Sequence, residues 1–151
     1  MRRLFYTNAS AAVVLIRLMV GLVFVSEGIQ KYLFPAEVGA GRFAKIGFDS
    51  PELLAQVVAC FEIACGSLVL VGLATRLAVV PLIVIMLTAI ITTKIPILQE
   101  QGIWKMAHEA RTDWSMLLGS IFLLIVGGGK ISLDAWLWSR PVEQRPLPST
   151  A

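Results

Sequence analysis

A chain of 151 residues with 57% hydrophobic and 15% charged side chains is too apolar for a single soluble domain, which would leave much of that surface wet. Its mean hydropathy is +0.79 and its apolar residues fall in blocks, so membrane embedding is the direct reading. The net charge of +3 does not point to nucleic acid, because Lys and Arg flank apolar blocks instead of forming a basic face interleaved with aromatics.

The first predicted span covers about residues 9–33. The "MRRLFYTN" before it is positive, as in a cleaved leader. The apolar stretch that follows runs past the roughly 7–15 residues of a leader and contains Arg17, so it reads as a retained helix. Within "RLMVGLVFVSEGIQK", Arg17, Gly21, Phe24, Gly28 and Lys31 are spaced 4, 3, 4 and 3 apart. At about 100° per residue they share a strip roughly 80° wide. Glu27 sits at its edge, four before Lys31, the favourable order for an ion pair. Gly21 and Gly28 admit a close neighbouring helix, so this face belongs in the interior of a bundle. The "GAGRFAKIGF" that follows is too short and mixed to cross and reads as an interfacial or re-entrant segment.

The second span, 51–72, opens with Ser50 as N-cap, Pro51 at the first helical position and Glu52 at the positive helix end. Gly72 can close it. Glu62 lies deep inside, on one face with Cys65, Gly66 and Val69 and nearly opposite Cys60. Side chains five apart on a helix diverge by about 140°, so the two cysteines cannot bridge. A carboxylate facing lipid costs about 2.5–3.5 kcal/mol, so Glu62 must be protonated, paired or in a wet cavity. Arg17 is the expected partner, because a guanidinium stays charged and grips a carboxylate with two bonds. The alternative for Arg17 is to snorkel to the near interface.

The third span, 75–94, has Pro81 in its first turns, a tolerable kink. Arg76 and Lys94 bracket about 27 Å of uncharged helix and read as interface anchors. The stretch "KIPILQEQGIWKMAHEAR" reads as a polar loop with its own short helix. In "HEARTD", His108 is either part of a solvated cap or a proton exchanger at the mouth of a cavity holding Lys31, Glu27 and Glu62. It is not HExxH, and a single histidine does not make a metal site. The fourth span, 112–128, takes Thr112 as cap and puts Asp113, Leu117, Ser120 and Leu124 on one face, with Ser120 as a helix–helix hydrogen bond. "SLDAWLW" reads as a short interfacial helix capped by Ser132, and the Pro-rich 139–151 as a disordered tail.

The expected fold is therefore all-α: an integral membrane four-helix bundle over residues 1–138, with short interfacial segments after helix 1 and helix 4. Tyr32, Phe34, Trp104 and Trp114 would gather at one membrane boundary, and Phe5, Tyr6, Trp136 and Trp138 at the other. Four crossings put both termini on one side, and the leading "MRR" favours the cytoplasm. There is no C-x-x-C, dinucleotide glycine fingerprint, P-loop or second histidine for haem, so no covalently bound cofactor is expected.

These pieces resemble the DoxX family of small bacterial membrane proteins. The resemblance rests on "RLMVGLVFVSEGIQK", "GRFAKIGF", "EIACGSLVLVGLATR" and "GGGKISLD", which span about Arg17 to Asp134. Arg17, Gly21, Gly28, Lys31, Glu62, Gly66, Gly72, Arg76 and Asp134 fall where the family pattern places them. Glu27 departs from it, histidine or a small residue being more usual there, so no role is carried over to that position. The resemblance implies a four-helix bundle in the bacterial inner membrane and includes a subunit related to thiosulfate:quinone oxidoreductase. Two readings of function follow. In one, Arg17, Glu27, Lys31 and Glu62 line a polar cavity that holds a quinone or similar lipophilic molecule, with a redox partner protein. In the other, a structural or assembly subunit, the same charges only fix helix register, with Gly21, Gly28, Gly66, Arg76 and Asp134 as framework. A homo-oligomer fits either. A solute or proton conduit is disfavoured by the lack of a visible inverted repeat.

Overall fold

The structure is a computed structural model that describes residues 11–138. In chain order the helices are α1 (Val13–Leu33), α2 (Ala40–Ile46), α3 (Pro51–Val71), α4 (Thr75–Ala89), a π-helical turn (Ile90–Lys94), α5 (Ile95–Gln101), α6 (Ile103–Glu109), α7 (Arg111–Val126) and α8 (Leu133–Trp138). No strand occurs among the described residues. Residues 9 and 10 of the expected first span lie outside them, as do Phe5, Tyr6 and the tail 139–151, and the Trp138 side chain is not described.

Among the described residues three helical runs are long and apolar enough to cross a bilayer: Val13–Leu33, Pro51–Val71 and the continuous Thr75–Gln101. At about 1.5 Å per residue, the 21 residues of α1 or α3 cover roughly the 30 Å of a hydrocarbon core. The 16-residue α7 is shorter and packs mainly on α4 and also on α1. The third run corrects the expected boundary at 94. The predicted loop "KIPILQ" is helical: Pro96 sits at the start of α5, directly after the π turn, and the run continues through it. The fourth helix likewise starts at Arg111, so Thr112 lies inside it and Ala110 precedes it.

The most extensive helix–helix contact among the described residues is α1 against α3, set by glycines. A Cβ on Gly21 would come within 2.9 Å of the Gly66 carbonyl oxygen, and one on Gly28 within 2.9 Å of the Ala59 carbonyl oxygen. The backbones are therefore too close for any larger residue, as small-residue packing in membranes requires. Val20, Phe24, Val69, Val79, Leu82 and Leu123 fill the centre. Leu22, Val57, Phe61 and Ile91 point outward and are exposed, an apolar belt suited to lipid.

One end of the molecule is tied by polar bonds. Gly72 ends α3 in the left-handed region (φ 72°), and its N–H bonds the Leu68 and Val69 carbonyls at 2.9 and 3.1 Å. The Asp134 carboxylate accepts from Ala74 N (2.9 Å) and Thr75 N (3.3 Å) at the start of α4, while Asp134 N donates to Gly72 O at 3.0 Å. A buried aspartate at a helix N-terminus offsets the helix dipole and its free N–H groups. Ser132 caps α8 as expected, accepting from Ala135 N at 3.1 Å. Arg76 reaches the Ile125 carbonyl at 2.7 Å and so ties α4 to the end of α7.

Candidate functional site

At the opposite end a cavity of about 470 Å³ opens among α1, α2, α3, the α4–π-turn run and α7. Most of its wall is apolar, with Val23, Phe24, Val58, Ile85 and Met116 among the lining residues. Its polar groups are Glu27, Lys31, Arg42, Glu62, Lys94 and Asp113, three carboxylates facing three cations, with Thr88, Thr92, Thr93 and Thr112 between.

The deepest polar feature is the Lys31–Glu62 pair. Glu62 is eleven residues into α3, about 16 Å along its axis, and is 2% exposed. Lys31 Nζ donates to both carboxylate oxygens, at 2.7 Å to Oε2 and 3.0 Å to Oε1. Lys31 belongs to the last turn of α1, but helical side chains lean back toward their own N-terminus, so its stem carries the ammonium down to Glu62. The i,i+4 carboxylate of Glu27 stands 3.9 Å from the same nitrogen and is half-exposed. The expected face of α3 is present: Cys65, Gly66 and Val69 are buried with Glu62, and Cys60 is exposed. Both cysteines are free.

Arg17 is not the partner of Glu62, and it lies outside the cavity. The antiparallel contact sets Gly28 against Ala59 and Glu62, which leaves Arg17 eleven residues, about 16 Å, toward the other end of α1. There it is 3% exposed and, among the described residues, donates to four backbone carbonyls. Nε bonds Val69 O (2.9 Å), Nη2 bonds Leu70 O (2.5 Å), and Nη1 bonds Gly128 O (3.1 Å) and Ile131 O. Val69 and Leu70 are in the last turn of α3, where carbonyls lack the regular i+4 N–H partner and the dipole is negative. Arg17 therefore neither snorkels nor pairs with a membrane carboxylate. It caps one helix and pins the glycine turn after α7 to it.

His108 also lies outside the cavity wall. Arg111 Nη1 donates to His108 Nε2 at 2.7 Å and to its carbonyl at 3.0 Å, all of it exposed. Beside it, a hydrogen bond from Lys105 and the charge of that ammonium hold the Glu109 carboxyl below its usual range. Such an exposed pair adds little stability.

Three charged cavity residues, Arg42, Lys94 and Asp113, were not foreseen as site residues. Lys94, expected at an interface, is 8% exposed and pairs with Asp113 Oδ2 at 3.3 Å. Only the π turn, invisible to helical-wheel spacing, turns it inward. Arg42, on the amphipathic α2, joins Phe43 and Ile46 as one wall, which the interfacial reading of "GRFAKIGF" placed nearby but not over a cavity. Among the described residues Ser120 does not form the expected bond across helices: its hydroxyl is buried and finds no partner there.

The DoxX family pattern matches residues 12–95, more than half of the chain. The chain belongs to the DoxX family. Within the reach of this DoxX chain, an uncharacterized membrane protein of Mycobacterium tuberculosis (Rv3486) is 50% identical over 144 residues, covering 91% of this chain and 88% of that protein. A Bacillus subtilis protein named "Putative oxidoreductase CatD" is 32% identical over 124 residues, covering 82% of this chain and 85% of that one. No solved structure matches the DoxX chain. The family match and the mycobacterial relative, with the three long apolar runs, make this a membrane protein.

Proposed function

We propose that this DoxX protein is a redox-associated subunit of the bacterial inner membrane that holds a quinone or similar lipophilic molecule in the α1–α3–α4–α7 cavity. On this reading α7 is a fourth crossing, so that the spans form a four-helix bundle with both termini in the cytoplasm. A redox partner protein would exchange electrons with the bound molecule, and a homo-oligomer is compatible with the fold.

The observation that carries the proposal is the Lys31–Glu62 pair at the floor of a largely apolar cavity. A volume of about 470 Å³ is within the range of small-molecule sites, and such sites combine apolar walls with a few placed polar groups. An ammonium can donate to a carbonyl oxygen, and the adjoining carboxylates of Glu62 and Glu27 can take up or return the protons that accompany quinone reduction. The name of the 32% identical relative supports an oxidoreductase setting. Arg17, far from the cavity, has a structural part in this proposal, together with Gly21, Gly28, Gly66, Arg76 and Asp134.

The test is titration of purified protein in lipid nanodiscs with 2,3-dimethyl-1,4-naphthoquinone, whose blocked ring positions cannot alkylate Cys60. Saturable binding is expected, falling at least about tenfold in Glu62→Gln with helix content retained, the loss of one hydrogen-bonded charged group. If partitioning is no greater than into empty discs, and Glu62→Gln changes only thermal stability, the buried charges serve register alone and the subunit is structural.

A further inference from the structure

We infer that Lys94 is a second ligand-positioning cation, so that the cavity reads its occupant at two ends and takes a neutral molecule with hydrogen-bond acceptors on opposite sides. This rests on the ligand-binding reading above and narrows its substrate class to para-dicarbonyl compounds as opposed to monocarbonyl ones.

The first observation is where Lys94 points. It follows Leu82, which is wholly buried, by twelve residues. On an unbroken α-helix the two would stand about 120° apart, and Lys94 would face away from the core. The π turn at Ile90–Lys94 absorbs one extra residue and brings the separation to about 20°. Lys94 is consequently buried among the cavity-lining residues and paired with Asp113, which α7 presents from its first turn. A π turn is rare inside an α-helix, and such turns are frequent at functional sites. An interface anchor would not need one, because a lysine can snorkel from an ordinary helix.

The second observation is how the donors are used. An ammonium has three N–H donors. Lys94 makes one contact with Asp113, at 3.3 Å, and lies on the same cavity wall as Thr88, Thr92 and Thr93. The Thr92 and Thr93 hydroxyls donate to carbonyls one turn back, Thr88 O at 2.8 Å and Ala89 O at 2.6 Å, so they do not compete for a ligand acceptor. Lys31 and Lys94 thus stand on different helices around one cavity, each with its charge balanced by a carboxylate. A balanced lining disfavours an ionic ligand, and two ammonium groups on different walls favour an acceptor at each end of a neutral one.

The experiment compares two probes in nanodiscs: 2,3-dimethyl-1,4-naphthoquinone and the smaller monocarbonyl ketone 1-tetralone, each read against its own affinity for the unmodified protein. Lys94→Met should weaken the dicarbonyl by about tenfold and leave 1-tetralone within about twofold, while Lys31→Met weakens both. The double variant Lys94→Met with Asp113→Asn, which leaves no unpaired carboxylate, should repeat the Lys94→Met result. If both Lys94 variants bind the dicarbonyl as tightly as the unmodified protein while Glu62→Gln loses it, the second pole is wrong and the cavity reading stands. If the unmodified protein binds neither probe, both fall.

Discussion

Lys31→Met should destabilise the protein by about 3–5 kcal/mol, because it strands the Glu62 carboxylate in a site that is 2% exposed. Glu62→Met should cost less, because the Glu27 carboxylate at 3.9 Å remains as a partner for the ammonium. The double variant, Lys31→Met with Glu62→Met, should recover most of the loss, since two apolar side chains of similar volume replace a pair that had to be desolvated. Thermal or denaturant unfolding in one detergent reads all four proteins of the cycle. Additive losses would mean that the two groups do not interact. The same double variant should lose quinone binding while folding well, which separates the pair's structural part from its proposed chemical one.

The second large effect is at the other end of α1. Arg17→Met removes bonds to four carbonyls, at the end of α3 and in the turn after α7, and should cost at least about 3 kcal/mol. Arg17→Lys should recover less than half of that, because one ammonium cannot span acceptors that a planar guanidinium reaches on several sides. The turn leaves no room for rearrangement: a Cβ on Gly72 would sit 2.6 Å from the Arg17 Cζ. Unfolding of the two variants checks this. Quinone affinity of whatever fraction remains folded should be unchanged, since Arg17 lies outside the cavity.

The two ends of the molecule differ in how far the sequence foretold them. The glycine-and-charge strip of α1 and the buried face of α3 follow from helical spacing alone, and the structure places Gly21, Gly28, Glu62 and Gly66 at that contact. What spacing cannot supply is depth. Arg17 and Lys31 share a face and a charge, so either could have met Glu62. The antiparallel register, fixed by which glycine meets which carbonyl, decides for Lys31. Lys94 was missed for a different reason. Angular reasoning assumes a constant number of residues per turn, and the π turn breaks that assumption just before the residue in question. His108 drew notice as the lone histidine, yet its ring is engaged by Arg111 on the exposed surface. Chemical rarity in a sequence is not placement in a site.

The central claim, that a lipophilic molecule occupies the cavity among α1, α3, α4 and α7, is tested most directly by photolabelling. A naphthoquinone carrying a diazirine would be irradiated with the protein in nanodiscs, with and without excess 2,3-dimethyl-1,4-naphthoquinone, and the adducts mapped by peptide mass spectrometry. Adducts on the cavity residues Val58, Met86 and Met116 that disappear with competitor are the predicted result. Adducts confined to the exposed outer-face residues Leu22, Val57 and Ile91, and indifferent to competitor, would contradict it.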